Sequence, residues 1–174
     1  MPLIQRTAVL KTDAGMHLIW DRAHFNGVDG YETWSAELEG DADILRHVVA
    51  AHVVPINIHS DGAYAFTLRA DVATMPRLSE DEERRVVVRS ERFRFDCRGT
   101  LDVSGIEHVE RDPSSNIASM KLPVQTYDVV VHLMNYDDIP ERTDQHPDFI
   151  VTVGPAEASA PRQSIETFER PQIV

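Results

Sequence analysis

The stretch Val54-Pro55-Ile56-Asn57-Ile58-His59-Ser60-Asp61-Gly62-Ala63-Tyr64-Ala65-Phe66-Thr67-Leu68-Arg69-Ala70 decides the fold class. Val54, Ile56 and Ile58 alternate with Pro55, Asn57 and His59, and Tyr64, Phe66 and Leu68 alternate with Ala65, Thr67 and Arg69. A period of two places each apolar set on one face of a strand. Ser60-Asp61-Gly62 separates the runs, with a glycine available for a positive φ, so the pattern predicts a β-hairpin. Pro55 has no N–H to give to a ladder, which places it at a strand start, an edge or a bulge.

Arg92 to Arg98 carries the next alternation: Phe93, Phe95 and Cys97 face one way, and Arg92, Arg94, Asp96 and Arg98 the other. A slip of one residue would bury those charges, so the register is specified. Further strands are predicted at Thr7–Leu10, His17–Trp20, Val86–Val88, Leu101–Val103, Ile106–Val109, Ile117–Leu122, Tyr127–Tyr136 and Phe149–Val153. One stretch favours helix, Asp41 to Ala51, where Ile44, Leu45, Val48 and Val49 share a face behind an aspartate N-cap. Short strands, frequent turns and one short helix predict an all-β fold, an antiparallel β-sandwich. A single domain over 1–154 is expected, followed by a Pro- and Ala/Ser-containing tail over 155–174, on which Ile165 and Phe168 are the residues able to dock.

The chain has 174 residues, 17 Lys+Arg against 29 Asp+Glu, and a formal charge of −12. Hydrophobic content of 42% and charged content of 26% are ordinary for a globular domain and exclude wholesale disorder. The absence of an apolar run of about 18 residues argues against a membrane span. The negative charge argues against direct nucleic-acid binding, which needs a basic patch, and permits a basic protein partner. Cys97 is the one cysteine, so no internal disulfide forms, and the expected location is the cytoplasm.

Eight histidines make metal binding the first chemistry to weigh. His47 and His52 are five apart, not four, and no HExxH, paired cysteines or compact ligand signature occurs. His59 and His132 fall on strand faces, and with nearby acids they supply the rival reading, a metal-dependent or other hydrolase. The acidic run Glu37-Leu38-Glu39-Gly40-Asp41-Ala42-Asp43 lacks the twelve-residue calcium-loop pattern. Acids complementing a helix N-terminus account for Asp41 and Asp43. Cys97 shares its parity with Phe93 and Phe95 and reads as a buried, inert thiol. No GxSxG, GxxxxGK[ST] or GxGxxG occurs. No catalytic residue, metal ligand or cofactor site is therefore assigned.

Tyr136 to Asp148 is more informative: five carboxylates face one arginine between two predicted strands, with two prolines to stiffen the connection. Most charge-rich connections are simply solvated. The functional reading is a surface that meets a basic cleft, where charge steers the encounter and a few apolar anchors hold the complex. The partner-binding residues expected on that reading are Asp137, Asp138, Glu141 and Asp144, with Tyr136 as anchor.

The order of features from Arg84 to Pro155 resembles the competence protein J family, inhibitors of a DNA-entry nuclease. The resembling residues are Arg85-Val86-Val87-Val88, Phe93-Arg94-Phe95, Gly99 to Glu107, Met120-Lys121-Leu122-Pro123 and Thr126-Tyr127-Asp128-Val129-Val130-Val131. In that pattern a leucine-proline turn and a tyrosine lead into a long strand, and a hydrophobic strand follows an acidic loop; Phe149-Ile150-Val151-Thr152-Val153 stands in that place. The match covers roughly seventy residues of strand pattern and no catalytic signature. The turn before Tyr127 is Val124-Gln125-Thr126, where the family usually carries a glycine, and the N-terminal half to Pro76 does not align. The resemblance implies a β-sandwich that acts by binding, without chemistry of its own, as immunity and antitoxin proteins do. The function expected is thus a small acidic protein that neutralises a basic partner, a nuclease or toxin. A ligand-binding or structural sandwich is the third reading.

Overall fold

The computed structural model describes residues 3–113 and 115–158. Those residues form β1 (Ile4–Thr12), β2 (Met16–Trp20), α1 (Tyr31–Leu38), α2 (Asp41–Val49), β3 (Val53–Asn57), β4 (Gly62–Ala70), α3 (Glu80–Arg85), β5 (Val86–Arg89), β6 (Phe93–Cys97), β7 (Thr100–Gly105), β8 (Ile117–Lys121), β9 (Gln125–Met134) and β10 (Phe149–Pro155). The larger sheet runs β1-β4-β10-β9, with β5 and β6 sharing the far edge of β9; the smaller runs β3-β2-β7-β8. Every pairing is antiparallel except that of β4 with β10, which is parallel. The predicted mainly-β sandwich is the observed fold.

The predicted hairpin is not formed. β3 belongs to the smaller sheet and β4 to the larger, so Ile58–Asp61 carries the chain from one sheet to the other. The link is bent by His59, at φ +54°, and the N–H groups of Ile58 and His59 both donate to the Gly15 carbonyl at 2.9 Å. Gly15, at φ +64°, lies in the β1–β2 crossing, and a Cβ placed on it would meet Ser60 N at 3.0 Å. The two crossings therefore pack backbone to backbone, and Gly15 is required there. β6 to β7 and β8 to β9 change sheets in the same way.

Facing follows the alternation. Phe93, Phe95 and Cys97 are at most 1% exposed, while Arg94 and Asp96 lie at the surface. Phe66 stacks on Phe149 within the larger sheet, and the ring of His17 from the smaller sheet meets Phe66 at 5.0 Å. Tyr127 is fully buried, and its hydroxyl donates to the Pro123 carbonyl at 3.0 Å, a tyrosine corner at the start of β9.

Among the described residues three helices replace the one expected. α2 is where the periodicity put it, though its N-cap is Gly40 and not an aspartate; α1 was not anticipated, α3 forms on the charged run Glu80–Arg85, and Ile106–His108 is a 3-10 turn instead of a strand. The helical segments cover what would be an open sheet face. Trp20 points away from the second sheet, packs edge-on against Phe25 and donates its indole N–H to Ser104 Oγ, so β2 is buried on both faces. On the larger sheet the stretch 71–85 plays the same part. The Ser79–Glu82 capping box starts α3, and Glu82 also accepts both Arg69 bonds, at 2.9 and 2.6 Å, tying the helix to β4. Arg69 holds the Glu82 carboxyl down to about 2.

Gly154 sits beneath this cover, and a Cβ on it would lie 2.6 Å from Met75 Cα. Gly154→Ala is expected to push the 71–78 stretch off the sheet and cost about 1–3 kcal/mol, as overpacking does. Hydrogen exchange of the segment checks this; unchanged protection and stability would show that the contact yields freely.

β10 extends to Pro155, and the chain stays attached as far as Glu157, whose N–H donates to Asp128 Oδ2 at 2.8 Å and whose carbonyl accepts Arg94 at 2.6 Å. The expected docking residues Ile165 and Phe168, like most of the 155–174 tail, lie outside the described residues. No helix among the described residues is long and apolar enough to cross a membrane.

Candidate functional site

The 136–148 loop is a held structure. At its ends, Met134 N–H donates to the Asp148 carbonyl, Asp148 N–H to Ala65 O, and Asn135 N–H to Arg85 O. Asp148 turns one carboxylate oxygen to Ala65 N–H at 2.8 Å and the other to Arg142 at 2.9 Å. Arg142 also reaches the His146 carbonyl at 3.0 Å, and His146 Nδ1 accepts Thr143 N–H at 3.0 Å. The acidic bias of the loop thus contains one internal ion pair that closes it upon itself.

Tyr136 faces inward. It is 3% exposed and packs with Met134, Ile150, Leu78, Val86 and Ile139 in a small core on the outer side of the larger sheet. The Arg85 guanidinium lies 4.8 Å above its ring and forms two bonds to Asp138, at 2.6 and 3.2 Å. These bonds hold the Asp138 carboxyl below its ordinary range. Tyr136 therefore anchors the loop to its own fold, and Asp138 braces it. Asp137, Glu141 and Asp144 are exposed, and among the described residues no side-chain partner meets Glu141 or Asp144. The structure gathers all five sequence-predicted residues on one loop and divides their work: two fasten it, three present charge.

The residues of the hydrolase reading occupy different elements. His59 lies in the β3–β4 crossing, whereas His132 is on the outer face of β9. His132 accepts Arg89 Nε–H at Nδ1 (3.2 Å) and contacts Thr152 Oγ1 through Nε2 at 3.3 Å. Burial, and then the neighbouring Arg89 charge, push its pKa down to about 4. Cys97 is fully buried, and burial pushes its thiol up to about 11. Among the described residues no group of three or more His, Cys, Asp or Glu is arranged to hold a metal ion.

Sequence reasoning passed over a histidine cluster. His47 and His52 meet through their Nδ1 atoms at 3.2 Å, His24 stacks on His52 with centroids 4.0 Å apart, and His47 Nε2 lies 2.8 Å from Glu37. Spacing of five is wrong for one helical face, but the helix ends before His52. Ala51, at φ +62°, turns the chain back so that His52 N–H donates to the His47 carbonyl, a Schellman ending.

No protein-family model matches this sequence, and no curated protein matches it. Two solved structures share the fold. One is described as crocagin biosynthetic gene J, at 14% identity and a TM-score of 0.64, with 90% of this chain and 100% of that one covered. The other is ComJ from Bacillus subtilis, described as an inhibitor of the DNA-degrading activity of NucA, at 9% identity and a TM-score of 0.56 with the same coverage. The likeness extends through the N-terminal half that the strand pattern left unaligned.

Proposed function

We propose that the chain is a non-enzymatic binding protein that neutralises a basic partner protein, a nuclease or toxin, through the 136–148 loop. The observation that carries this reading is the display of Asp137, Glu141 and Asp144 on a loop whose backbone is already fastened by Asp148, Arg142 and the buried Tyr136. A loop ordered before binding loses less entropy on association. Carboxylates so placed suit the basic groove of a nuclease, shaped for about one phosphate charge per 1.7 Å of duplex. The shared fold with ComJ supports an inhibitor-type role.

The test is affinity capture with purified protein as bait, washed at about 50 mM and about 500 mM salt, a range over which exposed charges are strongly screened. One basic protein, retained at low salt and released at high salt, is expected. The Asp137→Lys/Glu141→Lys/Asp144→Lys variant should slow its association at least about tenfold. Asp138 is left unchanged because its loss would unfasten Arg85 from the loop. A partner that binds the triple variant at the same rate removes the loop from the mechanism.

A further inference from the structure

A second surface has the chemistry of a cation site and shares no residue with the acidic loop. Between α1 and the 106–110 stretch lies a slot of about 380 Å³, floored by Val28 and Val109 and walled by Tyr31, Trp34, Glu107 and Glu110. The floor valines are 2% and 1% exposed. Trp34 is fixed by its indole N–H, which donates to the Ile106 carbonyl at 2.9 Å. Tyr31 stacks on Trp34 with centroids 6.0 Å apart and planes 25° from parallel, yet it is 71% exposed.

Charge in the slot has one sign. Glu107 and Glu110 line it, and among the described residues neither lysine nor arginine does. Glu107 has internal duties, accepting Thr12 Oγ1 at 3.1 Å and Asp13 N–H at 2.7 Å, and lying 3.7 Å from His108. Nearby Arg111 donates its backbone N–H to Val28 O, but its guanidinium pairs with Asp112 at 3.1 Å.

We propose that this slot takes an arginine side chain presented by a basic protein partner. The flat guanidinium stacks on the Tyr31–Trp34 pair while Glu110 accepts its N–H groups, and the aliphatic stem covers Val28 and Val109. Arginine suits the slot better than lysine because its planar, weakly hydrated head stacks on aromatic faces and still donates hydrogen bonds at its edge. Tyrosine, tryptophan and arginine are the residue types in which binding energy concentrates at interfaces.

The test needs no identified partner, so its failure is distinct from failure of the loop reading. Nα-acetyl-arginine amide is titrated into the whole protein at low salt while the two tryptophan indole N–H signals are followed by NMR. Trp20 is fully buried, so Trp34 is the reporter and Trp20 the internal control. A saturable shift confined to Trp34 is expected, with Nα-acetyl-lysine amide binding several-fold more weakly. Tyr31→Ala and Glu110→Gln, both on the surface, should each weaken arginine binding about fivefold. No saturable shift, equal response to the lysine compound, or unchanged affinity in both variants would overturn the assignment.

Discussion

Asp21→Ala is expected to destabilise the fold by about 3 kcal/mol or more, because one buried carboxylate fastens three separate backbone donors. Asp21 is 1% exposed and follows β2 directly. Its Oδ1 accepts Ala23 N–H at 2.9 Å, and its Oδ2 accepts Arg98 N–H at 2.7 Å and Thr100 N–H at 3.0 Å. The last two donors flank Gly99 in the link that carries β6 of one sheet into β7 of the other. Alanine removes every acceptor at once. Asp21→Asn keeps one carbonyl oxygen but aims an NH2 group at some of the donors, and should fall between alanine and wild type. Urea unfolding of both variants measures the effect; a loss below about 1 kcal/mol for alanine would mean that water or neighbouring carbonyls replace the carboxylate.

Acidification from pH 6.5 to pH 4 is expected to remove several kcal/mol of stability, a loss that begins above the range in which ordinary carboxylates titrate. His17 is fully buried: Nε2 donates to the Leu10 carbonyl at 3.2 Å, and Nδ1 has no hydrogen-bond partner among the described residues. Burial pushes its pKa down to about 4, and burial with Arg89 does the same to His132. The unfolded chain binds protons on these rings below its ordinary value of about 6.5, while the folded chain resists until about pH 4. Stability from this source is therefore complete above pH 6.5 and is lost as pH falls through 4. At the full shift each ring is worth up to about 3 kcal/mol. His52, also near 4, and His47, lowered by burial, act in the same direction. Glu82 contributes only at lower pH, between its ordinary value of 4.5 and about 2, so the two sources separate on the pH axis. Urea midpoints at pH 7.5, 6, 5 and 4 test this. His17→Phe should flatten the curve above pH 4, and a wild-type curve already flat from pH 7 to 4.5 would sink the explanation.

The two results bear on different parts of the molecule. Asp21 guards the crossing between sheets, whereas His132 lies under the 71–92 cover of the larger sheet, whose α3 supplies the Arg85 that braces the acidic loop. Loss of that cover by acid or by Gly154→Ala should thus reach the loop through Arg85.

The sequence by itself determined where most of the strands lie, Ile106–His108 excepted, and which way residues face where apolar and charged ones alternate. Phe93, Phe95 and Cys97 went inward and Arg94 and Asp96 outward, because alternation is a property of every extended residue and the cost of burying charge is paid locally. The leucine-proline-tyrosine corner was legible through the family resemblance and folds by near-neighbour contact; the acidic loop was legible as a run of charge, but its fastening to Ala65, Arg85 and Leu78 was not. Tertiary structure alone decided strand partnership. A short turn after alternating residues serves equally for a hairpin and for a crossing, and the outcome at Ile58–Asp61 rested on Gly15, more than forty residues earlier. It decided also that Tyr136 turns inward, since the stretch that covers it, around Leu78 and Val86, lies some fifty residues upstream and leaves no mark on the periodicity of β9. Facing is set residue by residue along the backbone; partnership is set by contacts between distant segments, whose free energy no local window contains.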